Sequence, residues 1–462
     1  MFKSIRHSKL ISNSSKLKLL TGALAILVLI GTPSVFAYQH FNQPEPLKKF
    51  NKAFTQPGYT LIAPNNSTNI YLVNNSGKTV HTWTTGHMAG LDTKLLPNGQ
   101  LLRTYDTKNT AFDMGGQGGG IQILNWNGSI AWDYQYSSDQ HLLHHDAMMM
   151  PNGHILTSAW VKVSTADALA AGVDPSHIDS EFGGTWSNDI IEIDPATSRI
   201  VWQWNAFDHL VQGYDAAAPN YGLSSDYPRR IDANYYKYVT MPDWLHVNAV
   251  DYNAATDQVM ISAREFNEVW VVDHSTTTAE AATSQGGRYG HGGDLLYRYG
   301  NPEAYGHGAE INRAFYLQHD THWIQDDKLQ GNGDVLVFNN GQEQTNQDYS
   351  SVLELALPEN SDGSYQLDSD GSFMPATLVW QYAPTGQNKF FSKYMGSADR
   401  LPNGNTLVCD AMGGRAIEVT PEGRTVWVYK NYYTSDPSAQ SPTALFRAYK
   451  YSPVNPAVAK LR

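Results

Sequence analysis

The chain is almost without cysteine, and this scarcity limits how its fold can be held together. Among 462 residues there is one cysteine, Cys409, so no intrachain disulfide can form. The fold must therefore be stabilised by packing and by the pairing of strands. Cys409 lies in the apolar stretch 406–409, which predicts a buried thiol rather than a nucleophile.

Positive charge is also scarce. The chain has 32 Lys and Arg against 44 Asp and Glu, a formal net charge of −12. Five of the basic residues fall within the first 37 residues, which contain no acid, so the remainder is more acidic still. This charge argues against nucleic acid or an anionic membrane surface as a partner. An anionic substrate would need a local cluster of donors.

The N-terminus predicts an export signal. A basic stretch precedes the apolar run 19–30, and small residues at positions 35 and 37 suit cleavage after Ala37. The alternative is an uncleaved anchor, but a run of 12 residues is short for a bilayer. No cysteine follows the run, which excludes a lipoprotein. We expect a periplasmic or secreted protein without stable membrane association, with 1–37 as signal and 38–56 as a polar tether.

The sequence also shows no long helical periodicity. It contains instead a short motif that is repeated along the chain. A short apolar stretch ends six times in the pattern apolar–(Trp, Tyr or His)–x–(Trp or Tyr), mostly after a turn. Repetition in a chain rich in Gly, Asn and aromatic residues is typical of an all-β propeller. The copies are residues 80–83, 131–134, 201–204, 296–299, 379–382 and 426–429.

A second hairpin alternates with the first. Its turn reads Pro-Asn-Gly at 97–99, 151–153 and 402–404, with degenerate copies at 253–257 and 330–333. One hairpin of each kind makes a four-stranded blade. Six motif hairpins but five turn hairpins predict that the sixth blade closes by pairing of the chain ends.

The predicted fold is therefore a single all-β propeller of six blades over residues 57–452, with seven or eight blades as alternatives. The closing strands are 59–63 and 446–451, and residues 453–462 form a C-terminal tail. Insertions interrupt the repeat with a short helix in 164–178, an irregular excursion over 215–243 and a flexible loop at 275–293.

Histidines stand before several of the turn hairpins. His145 (within His144-His145-Asp146), His246 and His319 take corresponding places at the start of the strand that should be innermost. Such positions ring one mouth of the propeller channel, so three histidines there favour a shared site over packing. Neutral histidine can be a nucleophile, a general base or a metal ligand. Asp146 and Asp320, which directly follow His145 and His319, should point away, tying blades or orienting donors, so we predict no metal.

Further polar residues are candidates for binding an oxyanion. Arg264, which ends the strand 259–263 taken as innermost, and Arg400 offer guanidinium donors, with a blade-to-blade salt bridge as the alternative for each. Asn340 offers an amide, with a turn as its alternative. His322 and Asn248 lie in the histidine-bearing segments and are also predicted to bind substrate.

At these residues the sequence resembles the bacterial arylsulfotransferase family, periplasmic propellers that need no nucleotide sulfate donor. The resemblance implies a ping-pong reaction in which a histidine takes a sulfuryl group from an aryl sulfate and passes it to a phenol. His246 and His319 match the family's supporting histidines. No cofactor is implied. The matching segments are 243–248, 261–264, 318–319, 338–341 and 400–407.

Two positions depart from the family pattern. The nucleophilic histidine belongs in a late blade, where this chain has Gly-Ser-Ala at 396–398, and the arginine that often follows the Asn-Gly step is replaced by Gln342. His145 is the candidate replacement nucleophile, and Arg264 or Arg400 the replacement cation. Alternatively, the reaction has been lost or changed.

We therefore expect an enzyme that moves a sulfuryl group between phenolic compounds, with His145, His246, His319 and Arg264 as catalytic residues. Its partners would be an aryl sulfate donor and a phenolic acceptor. One alternative is a non-catalytic propeller that binds a ligand or an envelope partner. A quinone-dependent dehydrogenase is disfavoured, because such propellers usually have eight blades and a calcium site.

Overall fold

Each of the six aromatic motifs forms the outer strand of an antiparallel sheet. The computed structural model describes residues 45–179, 183–235, 241–344 and 348–462. Within them six sheets stand in a ring, so the predicted six-bladed propeller is confirmed. The predicted export signal lies outside the described residues.

The strands follow one another along the whole propeller with few helices between them. In chain order they are β1 (Leu47–Phe50), β2 (Tyr59–Pro64), β3 (Asn69–Asn74), β4 (Thr79–Thr84), β5 (Ala89–Leu95), β6 (Leu101–Asp106), β7 (Gly119–Leu124), β8 (Ile130–Gln135), β9 (His141–Met149), β10 (Ile155–Ser164), β11 (Gly184–Asp194), β12 (Arg199–Asn205), β13 (Leu210–Val211) and β14 (Ile231–Asp232). They continue with β15 (Val247–Asn253), β16 (Gln258–Ala263), β17 (Glu268–Asp273), β18 (Tyr297–Tyr299), β19 (His319–Trp323), β20 (Val335–Asn339), β21 (Ser351–Ala356), β22 (Thr377–Tyr382), β23 (Ser397–Arg400), β24 (Thr406–Asp410), β25 (Arg415–Val419), β26 (Thr425–Lys430) and β27 (Leu445–Tyr451).

Each blade begins at the channel and ends at the periphery. The innermost strands contact one another around the ring, which identifies the central layer. From the centre outward, the blades are β27-β2-β3-β4 (blade 1), β5-β6-β7-β8 (blade 2), β9-β10-β11-β12 (blade 3), β15-β16-β17-β18 (blade 4), β19-β20-β21-β22 (blade 5) and β23-β24-β25-β26 (blade 6).

Helices are short and belong to the insertions. The helix predicted within 164–178 is α1 (Thr165–Ala170). The expected flexible loop at 275–293 instead contains α2 (Thr278–Ala281), which begins with a capping box between Thr277 and Glu280. None of the helices in the described part of the chain has the length and apolar character needed to cross a bilayer. The 3₁₀ helices are Pro175–His177, Ala206–His209, Ser224–Asp226, Pro302–Tyr305, Glu310–Asn312, Gly386–Asn388 and Pro456–Leu461.

The chain ends close the ring as predicted. β27, near the C-terminus, is the innermost strand of blade 1 and pairs antiparallel with β2, placing Tyr59 opposite Tyr451 and Ile62 opposite Ala448. One blade is thus built from both ends of the propeller. Because closure pairs strand edges that would otherwise stand open, it makes the first and last blades mutually dependent.

The segments on either side of the propeller differ from the expected tether and tail. From Leu47 onward the supposed tether is structured, since β1 adds a fifth strand to the outer edge of β26. Gln56 then donates its backbone N–H to Glu418 Oε1 over 2.6 Å. In the tail, the 3₁₀ helix Pro456–Leu461 buries Ala457 and Val458 against the core of blades 1 and 2.

The hydrophobic core lies between neighbouring blades. One cluster, for example, joins Ile62 and Val73 of blade 1 to Leu407 and Trp427 of blade 6. Cys409 belongs to this cluster and is a fully buried free thiol, as its apolar strand predicted. Each blade is therefore stabilised by its neighbours.

The first aromatic residue of every motif binds the next blade. In each case its ring N–H or hydroxyl donates a hydrogen bond to the connection between the third and fourth strands of the following blade. Four acceptors are backbone carbonyls and two are hydroxyls. The pairs are His81 with Trp126, Trp132 with Ser198, Trp202 with Thr276, Tyr297 with Met374, Trp380 with Pro421 and Trp427 with Asn75, at 2.6–3.2 Å.

The last of these bonds, from Trp427 Nε1 to the carbonyl of Asn75, joins blade 6 to blade 1. We predict that Trp427→Phe lowers the free energy of unfolding by about 1–2 kcal/mol, because a fully buried residue loses its donor and a carbonyl loses its partner. Trp132→Phe is the matched control, since its bond to Ser198 is exposed and water can replace it. Urea unfolding of both variants measures the difference, and an equal loss in the control would contradict this role.

Candidate active site

The innermost strands begin with a strained backbone, and the candidate histidines lie there. His145 and His246 have φ of 56° and 48°, in the left-handed region, and the strand pairing shifts register at His145 in β9 and just after His246, between Val247 and Ala249, in β15. Such bulges redirect side chains, and strain of this kind collects at functional sites. Corresponding positive values occur at Leu91 (107°), Leu317 (57°), Asp320 (53°) and Met395 (61°).

The three predicted histidines converge from blades 3, 4 and 5. The rings of His145 and His246 lie edge to face with centroids 4.6 Å apart. His319 lies close enough to His145 to help lower its pKa, and close enough to His246 for that ring to help lower the pKa of His319. Burial, followed by neighbouring positive groups, holds the pKa of His145 and of His319 well below the usual 6.5. Both rings are therefore neutral at neutral pH and retain a lone pair.

His246 is oriented by a buried carboxylate. Its Nδ1 lies 2.6 Å from Asp243 Oδ2, while Asp243 Oδ1 accepts bonds from Trp160 Nε1 at 2.9 Å and from the His246 backbone N–H at 3.2 Å. Burial opposes the charge, yet attraction to His246 and these hydrogen bonds lower the pKa of Asp243. The ionised carboxylate keeps a proton on Nδ1, so Nε2 is the nitrogen of this ring that can exchange a further proton.

His145 is held by a second histidine. Its Nδ1 lies 2.8 Å from the Nδ1 of His144, whose ring stacks on Trp160 with centroids 4.3 Å apart. Burial lowers the pKa of His144 to about 3, so this ring is neutral as well. One of the two Nδ1 atoms must donate to the other. No hydrogen-bond partner of His145 Nε2 occurs among the described residues.

His319 has a fixed tautomer. Asn340 donates its amide protons to the carbonyls of Ser392 and Met395, each over 2.7 Å, so its Oδ1 must accept from His319 Nδ1–H at 2.7 Å. His319 Nε2 in turn accepts the Met395 backbone N–H at 3.3 Å. Asn340, predicted to bind substrate, thus orients a site histidine instead.

The two predicted arginines have different surroundings. Arg264 directly follows β16, which is the second strand of blade 4 and not the innermost, because β15 follows His246 directly. Its guanidinium pairs with Glu265, lies 5.8 Å from the ring of Tyr394 and helps to lower the pKa of His319. Arg264 therefore remains beside the histidines.

Arg400 does not belong to this cluster. It forms a buried ion pair with Glu354 of the preceding blade and lies 5.3 Å from the ring of Trp380. This is the blade-to-blade salt bridge that the sequence left open as its alternative. Asn248 is also structural, since its Nδ2 donates to the Gln318 carbonyl over 2.7 Å, tying blade 4 to blade 5. His322 lies farther along β19, toward the opposite mouth.

A central arginine was missed by the sequence analysis. Arg447 lies on β27, is buried, and pairs with Asp146 (Nη1, 2.9 Å) and Asp320 (Nε, 2.8 Å) across the channel. It also lies near His145 and His319. The sequence did contain a sign of this residue. Arg447 lies in the predicted closing strand directly after Phe446, just as Asp146 lies directly after His145 in its innermost strand.

The carboxylates after the histidines tie blades together, one of the roles foreseen for them. Asp146 accepts the backbone N–H of Val250 at 3.1 Å, and Asp320 that of Ala398 at 2.9 Å. In both cases the acceptor belongs to one blade and the donor to the next. In the described part of the chain, no group of three or more His, Cys, Asp or Glu side chains is arranged to hold a metal ion.

Sequence comparison identifies the family to which this chain belongs. The sequence profile of the Arylsulfotransferase (ASST) family matches residues 45–444, nearly the whole described chain. The protein belongs to the arylsulfotransferase family. No protein with a curated description matches the sequence.

Solved structures offer only distant likenesses. A protein of unknown function from Bacteroides caccae is 11% identical with a TM-score of 0.46, covering 85% of this chain and 98% of that one. A virginiamycin B lyase from Staphylococcus aureus is 10% identical with a TM-score of 0.37, covering 85% and 89%. The WD40 domain of a Toxoplasma gondii coronin is 9% identical with a TM-score of 0.37, covering 82% and 70%. Values this low carry no argument about function.

A glycine makes room for His145. Gly116 has φ of 105°, and a Cβ placed there would lie 1.9 Å from His145 Cε1. We predict that Gly116→Ala displaces the imidazole and lowers the free energy of unfolding by about 1–3 kcal/mol, through overpacking and an unsuitable φ. Gly115→Ala is the control, because its Cβ would meet nothing within 4 Å. Denaturant unfolding distinguishes them; equal stability of the two variants would contradict the tight contact.

Proposed function

We propose that this protein is an aryl-sulfate sulfotransferase that works through a covalent intermediate on His145. The observation that carries the proposal is the geometry of His145, a neutral, buried imidazole whose Nε2 has no partner among the described residues and whose ring lies 4.6 Å from that of His246. Family membership supports the reaction class. The site would use His145 in place of the absent late-blade histidine, a position at which this chain has Gly-Ser-Ala at 396–398.

The neighbouring His144 supplies the tautomer that a nucleophile needs. With its proton on Nδ1, donated to Nδ1 of His144 over 2.8 Å, His145 presents a lone pair on Nε2. Nucleophiles are commonly oriented by a second group in this way. A neutral imidazole does so here without adding negative charge beside an anionic substrate.

In the first half-reaction, the lone pair of His145 Nε2 attacks the sulfur of the aryl sulfate. A bond forms between nitrogen and sulfur as the bond between sulfur and the aryl oxygen breaks. The departing oxygen takes its electron pair and a proton from Nε2 of protonated His246, giving a free phenol. Asp243, at 2.6 Å from His246 Nδ1, stabilises the protonated ring before transfer.

The second half-reaction reverses these steps with another phenol. Its hydroxyl proton passes to His246 Nε2 while its oxygen attacks sulfur, and the nitrogen–sulfur bond breaks. His145 regains its lone pair, and His246 returns to the protonated form. One group thus serves as acid and then as base, as a ping-pong reaction requires.

The charge on the sulfuryl oxygens needs donors aimed at it. Arg264, whose guanidinium lies beside His319, is the donor that we assign to this charge. In a site shielded from water such groups stabilise developing charge strongly. Of the aromatic residues, Tyr394 is 43% exposed and lies beside Arg264, so it is our candidate to flank the phenolic ring. Trp160 and Trp186 are fully buried and pack against each other.

The location follows from the same proposal. Cleavage after Ala37 would release the enzyme into the periplasm or the medium. An aryl sulfate donor suits this location, because the reaction then needs no nucleotide sulfate donor. N-terminal sequencing of exported protein tests this, and retention of residues 1–37 would contradict cleavage.

Purified protein incubated with a chromogenic aryl sulfate should release the phenol faster when an acceptor phenol is added. We predict that His145→Ala lowers this rate by roughly 10⁴-fold, because the covalent route is lost. His154→Ala is the control, a partly exposed histidine in the turn of the same blade. Unchanged turnover in His145→Ala would exclude the nucleophile, whereas no turnover in correctly folded wild-type protein would favour the non-catalytic alternative.

The acid–base role of His246 predicts that the effect of a substitution on the rate depends on the leaving group. Asp243→Asn keeps the shape of the residue but removes the charge that stabilises the protonated ring. We predict a loss of roughly 10²-fold or more with donors whose phenols are poor leaving groups, and a much smaller loss with nitrophenyl donors. Rates measured over a series of donors test this, and a uniform loss would indicate a structural role for Asp243.

A further inference from the structure

A second cavity lies at the other end of the channel. It has a volume of about 650 Å³, within the range of small-molecule sites. Its wall includes Leu96, Met150 and Pro151, which follow the ends of innermost strands, whereas His246 and His319 stand where such strands begin. None of the three site histidines lines it. Arg447, paired with Asp146 and Asp320, lies between the two.

The floor of the cavity carries excess negative charge. Four carboxylates line it, from Asp146, Asp251, Asp320 and Asp399, against two cations, Lys94 and Arg447, and the imidazole of His322. Both cations are already engaged in ion pairs, Lys94 with Asp92 at 2.9 Å and Arg447 with Asp146 and Asp320. The surplus charge therefore lies on Asp251 and Asp399.

Asp399 is the group left without compensation. Asp251 accepts the backbone N–H of Trp323 at 2.8 Å, but no hydrogen bond or ion pair to the Asp399 carboxylate occurs among the described residues. Burial raises the pKa of Asp399 to about 6. His322 and Lys94 act in the opposite direction, but neither forms an ion pair with the Asp399 carboxylate.

A second polar group in the wall also lacks a partner. Thr321 is 1% exposed and lines the cavity, and its hydroxyl has no hydrogen-bond partner among the described residues. Buried hydroxyls are normally paired, so this one is an exception among the lining residues. The lining also contains a group of apolar residues, Met148, Met149, Met150 and Val250.

We propose that this cavity binds an organic ammonium ion with an apolar body, with its nitrogen on Asp399 and its carbon skeleton against the methionines. An ammonium group donates three hydrogen bonds and supplies the missing positive charge. Methionine side chains adapt to apolar ligands of varied shape. An anion is disfavoured because carboxylates outnumber cations.

Isothermal titration of the full mature chain tests the proposal with phenethylammonium as the probe. Its uncharged analogue 2-phenylethanol and calcium chloride are the comparators. We expect phenethylammonium to bind roughly 10-fold or more tightly than the alcohol, as a charge-assisted hydrogen bond predicts. Equal binding of amine and alcohol, or binding of calcium alone, would overturn the proposal.

Two variants locate the site. Asp399→Asn should weaken phenethylammonium binding about 10-fold, while Asp139→Asn, which changes an exposed carboxylate outside the cavity, should leave binding unchanged. Equal binding by Asp399→Asn and wild type would overturn the proposed site. Comparing the two ligands on wild-type protein keeps the test valid if Asp399→Asn does not fold. Because the cavity excludes the three site histidines, failure here would leave the proposed sulfuryl transfer untouched.

Discussion

The hydrogen bonds that link each blade to the next are the constraint on which the rest of the structure depends. Three site histidines come from blades 3, 4 and 5, and the arginine beside them comes from the closing strand β27. These residues meet only if the ring is closed at the correct size. The first aromatic residue of every motif fixes each blade to its neighbour, and the pairing of β27 with β2 closes the ring. The sequence repeat thus supplies the contacts between blades that bring the site residues together.

The fold could be predicted from the sequence because its signals are local. An outer-strand motif and a Pro-Asn-Gly turn each describe a few consecutive residues, and their alternation gives the blade. The pairing of β1 with β26 carried no such signal, since Leu47–Phe50 is a polar segment that gains its structure from an exposed strand edge far along the chain. The regular structure within 275–293 was not predicted for a related reason, because it depends on a capping box at the start of the very short helix α2.

The site could be predicted in part. His145, His246 and His319 occupy equivalent repeat positions, so the periodicity alone placed them together. The surroundings of Arg400 could not be predicted, because its carboxylate partner Glu354 lies on a neighbouring blade. Arg447 was overlooked because the strand that carries it was considered for closure and not as a member of the ring.

The central claim is that His145 forms a bond to the sulfuryl group. A folded enzyme given an aryl sulfate without an acceptor should accumulate this intermediate, because the second half-reaction cannot proceed. Rapid quenching in alkali, digestion and mass spectrometry should then find the mass of one sulfuryl group on the peptide that contains His145, and its loss after a phenol is added. A sulfuryl group found instead on His246 or His319, or none on a protein that releases phenol, would contradict the account.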